Sequence, residues 1–176
     1  MSGLGEIVLV AGPNGAGKTS FARQFLQEQL QTYTYVNADE LAKTLPRDGV
    51  IQAEIDIRAG RAMLNRIRQS IALGEDLMIE STLASGNWAR HIPAWQRDGY
   101  NITLYYLRLQ NADAAVARVQ RRVAGGGHSI PENVIRRRFE RSAKNFELLY
   151  KAIVDRWYDF ESLEDRAPVL KDSGST

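Results

Sequence analysis

The stretch "EIVLVAGPNGAGKTSFARQF", Glu6 to Phe25, decides the fold. It opens with an apolar run ending in glycine, which predicts a buried β-strand. The residues from Gly12 to Thr19 match the pattern G-x-x-x-x-G-K-[ST] at every fixed position, and the residues that follow have the spacing of an amphipathic helix. A strand, a glycine-rich loop and a helix in this order predict a P-loop, which holds the phosphates of a nucleotide.

The chemistry of a P-loop gives its residues roles. Glycines let the backbone curl so that its N–H groups point at the phosphates, and the following helix adds its positive end. Lys18 is expected to reach the β- and γ-phosphates, and the Thr19 hydroxyl is expected to bind Mg²⁺. The predicted nucleotide-binding residues here are Gly12, Pro13, Asn14, Gly15, Ala16, Gly17, Lys18, Thr19 and Ser20.

Composition limits the class of protein. A chain of 176 residues with 44% hydrophobic and 25% charged residues is typical of one globular domain. The sequence contains no run of 18 or more apolar residues, the length that a membrane span requires, so we expect no membrane partner. The chain has no cysteine, which excludes disulfides and thiolate zinc sites, and its N-terminal residues lack the basic segment of a signal peptide. We therefore expect a cytoplasmic protein.

Strand patterns alternate with helical patterns along the whole chain. This order predicts an α/β fold with three α/β/α layers, in which helices cover both faces of a parallel sheet of about five strands. The expected strands are residues 6–11, 32–37, 76–80, 101–109 and 155–162. One P-loop domain is expected over residues 1–165, followed by a C-terminal tail over 166–176, whose last residues, 171–176, are expected to be disordered.

Two carboxylates follow predicted strands, at the sheet edge where α/β folds bind ligands. Asp39 is either a general base that takes the proton of an acceptor hydroxyl, or the N-cap of a short helix. Glu80 is either a Mg²⁺ ligand in the manner of a Walker B acid, or an ordinary polar residue at a strand end. Ser81 and Thr82 beside it leave the same two readings open.

Seven arginines lie between residues 118 and 141, against two acidic residues. They are Arg118, Arg121, Arg122, Arg136, Arg137, Arg138 and Arg141. The first three share one helical face, and the others follow the glycine-rich "AGGGH". Two arginine-bearing helices on a glycine hinge predict a lid, about 118–141, that closes over the nucleotide. A nucleic-acid patch and a solvated helix face are the alternatives, and His128 is expected to be a hinge contact rather than a catalyst.

Five segments in order, "AGPNGAGKT", "NADELA", "AGRAML", "ESTLASG" and "RVQRRVAGGGHSIPENVIRRRF", resemble the small bacterial zeta-toxin-like P-loop kinases. The resemblance spans about residues 5–162. It implies ATP and Mg²⁺ as cofactors and a fold similar to that of adenylate and shikimate kinases. It also implies transfer of the γ-phosphate to a hydroxyl of a nucleotide sugar such as UDP-N-acetylglucosamine, and an antitoxin protein as a partner that blocks the nucleotide site.

The resemblance also implies roles by position. Asp39 matches the general base, which makes Lys18, Asp39, Arg122 and Arg138 the expected catalytic residues, with Arg137 as the alternative to Arg138. Arg118 matches the arginine that packs on adenine, and Thr19 and Glu80 are the expected metal ligands. The expected substrate-binding residues are Asp39, Arg61, Glu80 and Thr82.

Two other functions stay open at this point. One is a nucleotide-dependent switch that hydrolyses slowly and acts through a protein partner, and such a switch would not need Asp39. The other is a kinase of nucleic-acid ends, which would need a basic groove with stacking aromatic residues. The lid already accounts for the clustered arginines, so we do not expect nucleic acid as a partner and favour a small-molecule kinase.

Overall fold

The computed structural model describes residues 5–29, 33–46, 49, 51–127 and 129–176. Its sheet has six strands in the order β2-β3-β1-β4-β5-β6. The strands are β1 Gly5–Ala11, β2 Tyr33–Val36, β3 Asp76–Ser81, β4 Tyr100–Arg108, β5 Arg156–Glu161 and β6 Val169–Ser175. The first five are parallel and β6 is antiparallel to β5. The carboxyl ends of the parallel strands therefore meet at one edge of the sheet.

Helices connect the strands. They are α1 Lys18–Gln29, α2 Ala38–Thr44, α3 Gln52–Ala72, α4 Trp88–Arg97, α5 Ala112–Ala124 and α6 Glu132–Asn145, and a π-helical turn, Phe146–Tyr150, continues α6. The prediction of a helix over 112–124 matches α5. None of the helices in the described part of the chain has the length and apolar character that a bilayer crossing requires.

The central strand β1 is buried on both faces because successive side chains of a strand alternate. Ile7 and Leu9 face a core built with α3, α4 and the π-helical turn. Val8 and Val10 face the opposite core, where Ala22 of α1 packs. All four strand residues are at most 1% exposed. Helices thus cover both faces of a mostly parallel sheet, which confirms the predicted P-loop kinase fold.

The prediction that residues 171–176 are disordered is wrong, because most of them lie in β6, Val169–Ser175. Its polar sequence lacks the apolar alternation that signals a strand, and it forms the exposed edge of the sheet, where polar residues are tolerated. Gly174 lies opposite Trp157, and a Cβ at that glycine would come within 2.6 Å of the indole ring. Lys171 also pairs with Glu161 at 2.9 Å. The sheet therefore continues beyond the expected domain boundary at 165.

Candidate active site

The P-loop joins β1 to α1 and passes close to the end of β4. Gly12 has φ +143°, and a Cβ there would lie 2.4 Å from the Leu107 carbonyl oxygen, so only glycine fits without distortion. The loop closes around Lys18, which is 8% exposed and whose Nζ donates to the Pro13 carbonyl oxygen at 3.0 Å. The loop therefore presents a buried ammonium within a ring of backbone groups.

The charges around Lys18 identify its neighbours. Burial lowers the pKa of this lysine, and Arg122 and Arg138 lower it further, while Glu80 and Asp39 raise it. These four side chains come from β3, α2, α5 and α6, and all act on the same amine. The structure thus brings the four predicted catalytic residues and Glu80 to one place, at the carboxyl edge of the sheet.

The structure also separates two neighbouring arginines of α6. Arg138 is half-buried and acts on the Lys18 ammonium, whereas Arg137 is exposed. On α5, Arg122 packs against the hinge, because a Cβ at Gly127 would lie 2.8 Å from the Arg122 Cγ. The position of Arg138 favours it over its neighbour for the lid role, and His128 lies outside the described residues.

Glu80, at the end of β3, accepts hydrogen bonds from three side chains. The Thr19 hydroxyl contacts both of its carboxylate oxygens, at 3.0 and 3.2 Å. The Tyr35 hydroxyl donates to Oε2 at 2.6 Å, and Asn37 Nδ2 donates to the same oxygen at 2.9 Å. Burial and the hydrogen bond to Glu80 raise the pKa of Tyr35, so this phenol keeps the proton that it donates. These contacts fit Glu80 both as a Mg²⁺ ligand and as a polar residue at a strand end, so its metal-binding role stays a prediction.

Asn37 connects the two acids of the site. Its Oδ1 accepts from the Asp39 backbone N–H at 2.8 Å, so Asn37 is the N-cap of α2. Its Nδ2 donates to Glu80 and, at 3.0 Å, to the Tyr35 hydroxyl oxygen. The alternative reading of Asp39 as an N-cap is therefore wrong, and its carboxylate is exposed in the first turn of α2.

Sequence reasoning missed Asn37 and Tyr35 as site residues. An asparagine directly before a helical pattern is a preferred N-cap, and that signal was present in "VNADEL". No comparable signal marked Tyr35, because its contact with Glu80 joins residues 45 positions apart.

A cavity lies beside the P-loop. Its volume is about 340 Å³, and it is lined by Arg118, Arg121, Leu163, Glu164 and Asp165. The Arg118 guanidinium donates to the Ser162 hydroxyl at 2.9 Å and to its carbonyl oxygen at 3.0 Å. A Cβ at Gly15 would lie 3.0 Å from the Arg118 Cβ, so this arginine packs on the phosphate loop. The cavity is thus next to the phosphate site and has the predicted adenine-packing arginine on its wall.

Three predicted residues lie apart from this charged cluster. Arg61 is exposed on α3, and no hydrogen bond or ion pair joins it to any other residue that the structure describes. Ser20 is exposed in the first turn of α1. Thr82 is two residues after Glu80 in the sequence, and its hydroxyl oxygen accepts from the Ala84 N–H at 3.4 Å. The assignments of Arg61, Ser20 and Thr82 therefore stay predictions.

A P-loop around a buried lysine, with two acids at neighbouring strand ends and arginines on two following helices, defines a P-loop kinase. The zeta toxin family model matches residues 5–162. The chain therefore belongs to the zeta toxin family, and it is a phosphotransferase.

One relative and two solved structures are similar to this chain. A protein of unassigned function from Haemophilus influenzae is 26% identical over 134 residues, which cover 76% of this chain and 92% of that protein. The structure of the PezAT chromosomal toxin–antitoxin system of Streptococcus pneumoniae matches with a TM-score of 0.68 and 20% identity over 93% of this chain and 69% of that chain. The AvrRxo1-ORF1:-ORF2 complex with ATP matches with a TM-score of 0.70 and 16% identity over 96% of this chain and 57% of that chain. At these identities the two structures demonstrate a shared fold.

Proposed function

We propose that this protein transfers the γ-phosphate of ATP to a hydroxyl group of a small molecule, a nucleotide sugar such as UDP-N-acetylglucosamine. The observation that carries the proposal is the exposed carboxylate of Asp39, whose charge acts on the same P-loop ammonium as the charges of Glu80 and the two lid arginines. A switch that only binds and slowly hydrolyses nucleotide has no use for a second acid at this position.

The donor atoms beside the P-loop fit a hard divalent cation. The Thr19 hydroxyl and the Glu80 carboxylate are in contact, and both present oxygen atoms. Among the described residues, no group of three or more His, Cys, Asp or Glu could hold a metal ion by itself. This suits Mg²⁺, which is usually bound by one or two protein groups together with substrate phosphates and water. When bound, Mg²⁺ would neutralise charge on the phosphate oxygens.

The protein's own residues divide the remaining work. Lys18 and the loop N–H groups bind the phosphates, and Arg122 and Arg138 supply positive charge to the phosphoryl group in transfer. The Asp39 carboxylate accepts the proton of the acceptor hydroxyl while the hydroxyl oxygen forms a bond to the γ-phosphorus. The bond between the γ-phosphorus and the β,γ-bridging oxygen breaks, and ADP leaves with its electrons. Arg118 and its cavity would receive the adenine ring.

The acceptor and the partner rest on family resemblance. The described side chains that face Lys18 account for phosphate chemistry, and the open side of Asp39 leaves room for a hydroxyl. The family resemblance favours a nucleotide sugar as the molecule that brings this hydroxyl. We also propose an antitoxin protein as a partner, supported by the similarity to the PezAT toxin–antitoxin system.

The test is acceptor-dependent turnover of ATP. Purified protein is incubated with Mg²⁺ and ATP and with nucleotide sugars, nucleosides, or DNA and RNA ends, and the products are identified by mass spectrometry. We expect one added phosphate on UDP-N-acetylglucosamine. ADP release without any phosphorylated acceptor would favour the switch, and phosphorylated ends would favour the nucleic-acid kinase.

A pair of variants makes this test specific. Asp39→Asn should lower transfer by about 10²–10⁴-fold, the usual contribution of a general base, while nucleotide affinity stays unchanged. Glu40→Gln is the matched control, because Glu40 is also an exposed acid in the first turn of α2 and pairs with Lys43 on the surface. Transfer that survives in Asp39→Asn would contradict the general-base role.

A further inference from the structure

One face of α6 contacts both sides of the site. Arg138, Ser142 and Asn145 follow each other by four and three residues, so they share a helical face. Arg138 acts on the Lys18 ammonium, and the buried Ser142 hydroxyl is 3.1 Å from the hydroxyl of Tyr106 on β4. At the end of this face, Asn145 Nδ2 donates to the Leu83 carbonyl oxygen at 2.6 Å. The helix that carries the lid arginine is thus bonded to the loop between β3 and α4.

That loop has a strained conformation at its centre. Leu83 has φ +56°, a region that residues other than glycine rarely adopt, although its side chain is fully buried. Its N–H donates to the Ser81 hydroxyl oxygen at 3.0 Å, and the same oxygen accepts from Trp88 Nε1 at 2.8 Å. The Leu83 N–H is therefore bonded to Ser81, and its carbonyl oxygen accepts from Asn145 and, at 3.4 Å, from the Gly86 N–H. Strain of this kind costs about 1–3 kcal/mol and persists only where surrounding contacts impose it.

The strained loop is next to the acid pair. β3 ends at Ser81, one residue after Glu80, and Leu83 follows two residues later. Three peptide units join Leu83 to Glu80, the residue that contacts Thr19. The Phe146 ring, directly after Asn145, stacks on Tyr106 with 4.1 Å between centroids, which fixes the end of α6 against the sheet.

We propose that Asn145 is a positioning residue that couples the loop 81–87 to the lid helix. This inference rests on the proposed function, because it assigns the loop to the acceptor side of the same site. When bound nucleotide orders the arginine end of α6, the hydrogen bond from Asn145 at its anchored end extends that ordering to the loop after Glu80. Nucleotide binding thereby sets the loop in the conformation that receives the acceptor, and acceptor binding favours the closed position of Arg138 in return.

The first experiment follows the loop directly and needs no acceptor. Amide hydrogen exchange of residues 81–87 is measured in the full chain with and without Mg²⁺ and a non-hydrolysable ATP analogue. We expect the nucleotide to slow exchange in this loop, and we expect Asn145→Asp and Asn145→Ala to abolish that effect. Lys144→Ala is the matched control, because this exposed neighbour on α6 should leave the effect intact.

The second experiment uses turnover. In the parent protein, the KM for the acceptor should be about 5-fold lower, or more, at saturating ATP than at ATP far below its own KM. A 5-fold change is the lower end of typical coupling between two sites. In Asn145→Asp the acceptor KM should be nearly the same at low and at saturating ATP. The KM for ATP, measured without saturating acceptor, should be unchanged. A purely structural role for Asn145 would instead alter both constants together or lower the melting temperature alone.

The outcomes separate this inference from the proposed function. The coupling is overturned if nucleotide does not slow exchange of the loop in the parent protein. It is also overturned if nucleotide still slows that exchange in both Asn145 variants. If no acceptor is phosphorylated, the proposed function fails, and the exchange measurement alone then decides the role of Asn145. Thermal unfolding of each variant establishes that it is folded under the conditions of the exchange experiment.

Discussion

Asn37→Asp tests the network between the two acids most directly. The substitution keeps the size of the side chain and keeps an oxygen that can accept the Asp39 N–H, since aspartate is also a preferred N-cap. It replaces the Nδ2 donor with an oxygen atom. That atom would face the Glu80 Oε2, which is 2.9 Å from Nδ2 in the parent protein.

The expected size of the effect follows from these contacts. Losing a hydrogen bond to a charged group lowers the free energy of unfolding by about 1.5–3 kcal/mol. Two carboxylates that relax to about 4 Å repel each other by about 4 kcal/mol at an effective dielectric constant of about 20. At pH 8 we therefore expect a loss of about 5–7 kcal/mol, a large part of the stability of an ordinary domain.

The pH dependence gives the prediction its sign. A proton shared between the two carboxylates relieves their repulsion, and only the folded variant gains from that proton. The folded variant then binds more protons than the unfolded chain, so its stability rises as the pH falls. At pH 5 we expect most of the repulsion to be absent and a loss of about 1.5–3 kcal/mol to remain, the contribution of the hydrogen bond.

Urea unfolding at pH 5 and pH 8 measures both losses, with Asn37→Ala as the control. The alanine variant loses the cap, about 1 kcal/mol, and the donor, but it adds no charge, so its loss should be equal at the two pH values. The reasoning is refuted if Asn37→Asp also loses the same amount at both pH values. It is equally refuted if the aspartate variant is more stable at pH 8 than at pH 5.

Three further predictions concern the phosphate site and the sheet edge. Arg138→Ala should lower turnover by about 10³-fold or more, as for other arginines on a transferring phosphoryl group, while Arg137→Ala should leave turnover close to that of the parent; equal losses would contradict the assignment. Gly12→Ala adds a Cβ 2.4 Å from the Leu107 carbonyl oxygen and should abolish nucleotide binding in calorimetry; normal affinity would contradict the described loop. Removing the chain from Val169 onward deletes β6 and should lower the melting temperature, whereas unchanged melting would mean that this strand adds nothing to the sheet.

Local patterns predicted the fold because its signals are local. The P-loop pattern around Lys18 and the alternation of strand and helix periods each lie within about 20 consecutive residues, and parallel pairing then follows from the connections. The same logic placed Asp39 and Glu80 at one edge of the sheet before any contact was known. Physical adjacency of strand ends, rather than sequence distance, made that prediction possible.

Features that depend on distant residues were missed or left open. β6 has a polar sequence, and its place in the sheet depends on Trp157 across from Gly174. The sequence also left the choice between Arg137 and Arg138 open, because one residue of helical rotation decides which of them faces Lys18. A run of identical residues contains no periodicity from which that rotation could be read.

The contacts of the two acids argue for different tasks. Glu80 accepts hydrogen bonds at both of its carboxylate oxygens, and three side chains share Oε2. The Tyr35 hydroxyl and Asn37 Nδ2 hold Oε2 in place, whereas Oε1 contacts only the shared Thr19 hydroxyl, so Glu80 is suited to a fixed negative charge with one oxygen available to a cation. Asp39 has its backbone fixed through Asn37, while its carboxylate is exposed. A proton-accepting role therefore suits the accessible Asp39 better than the hydrogen-bonded Glu80, which is the division of tasks that the proposed transfer to an acceptor requires.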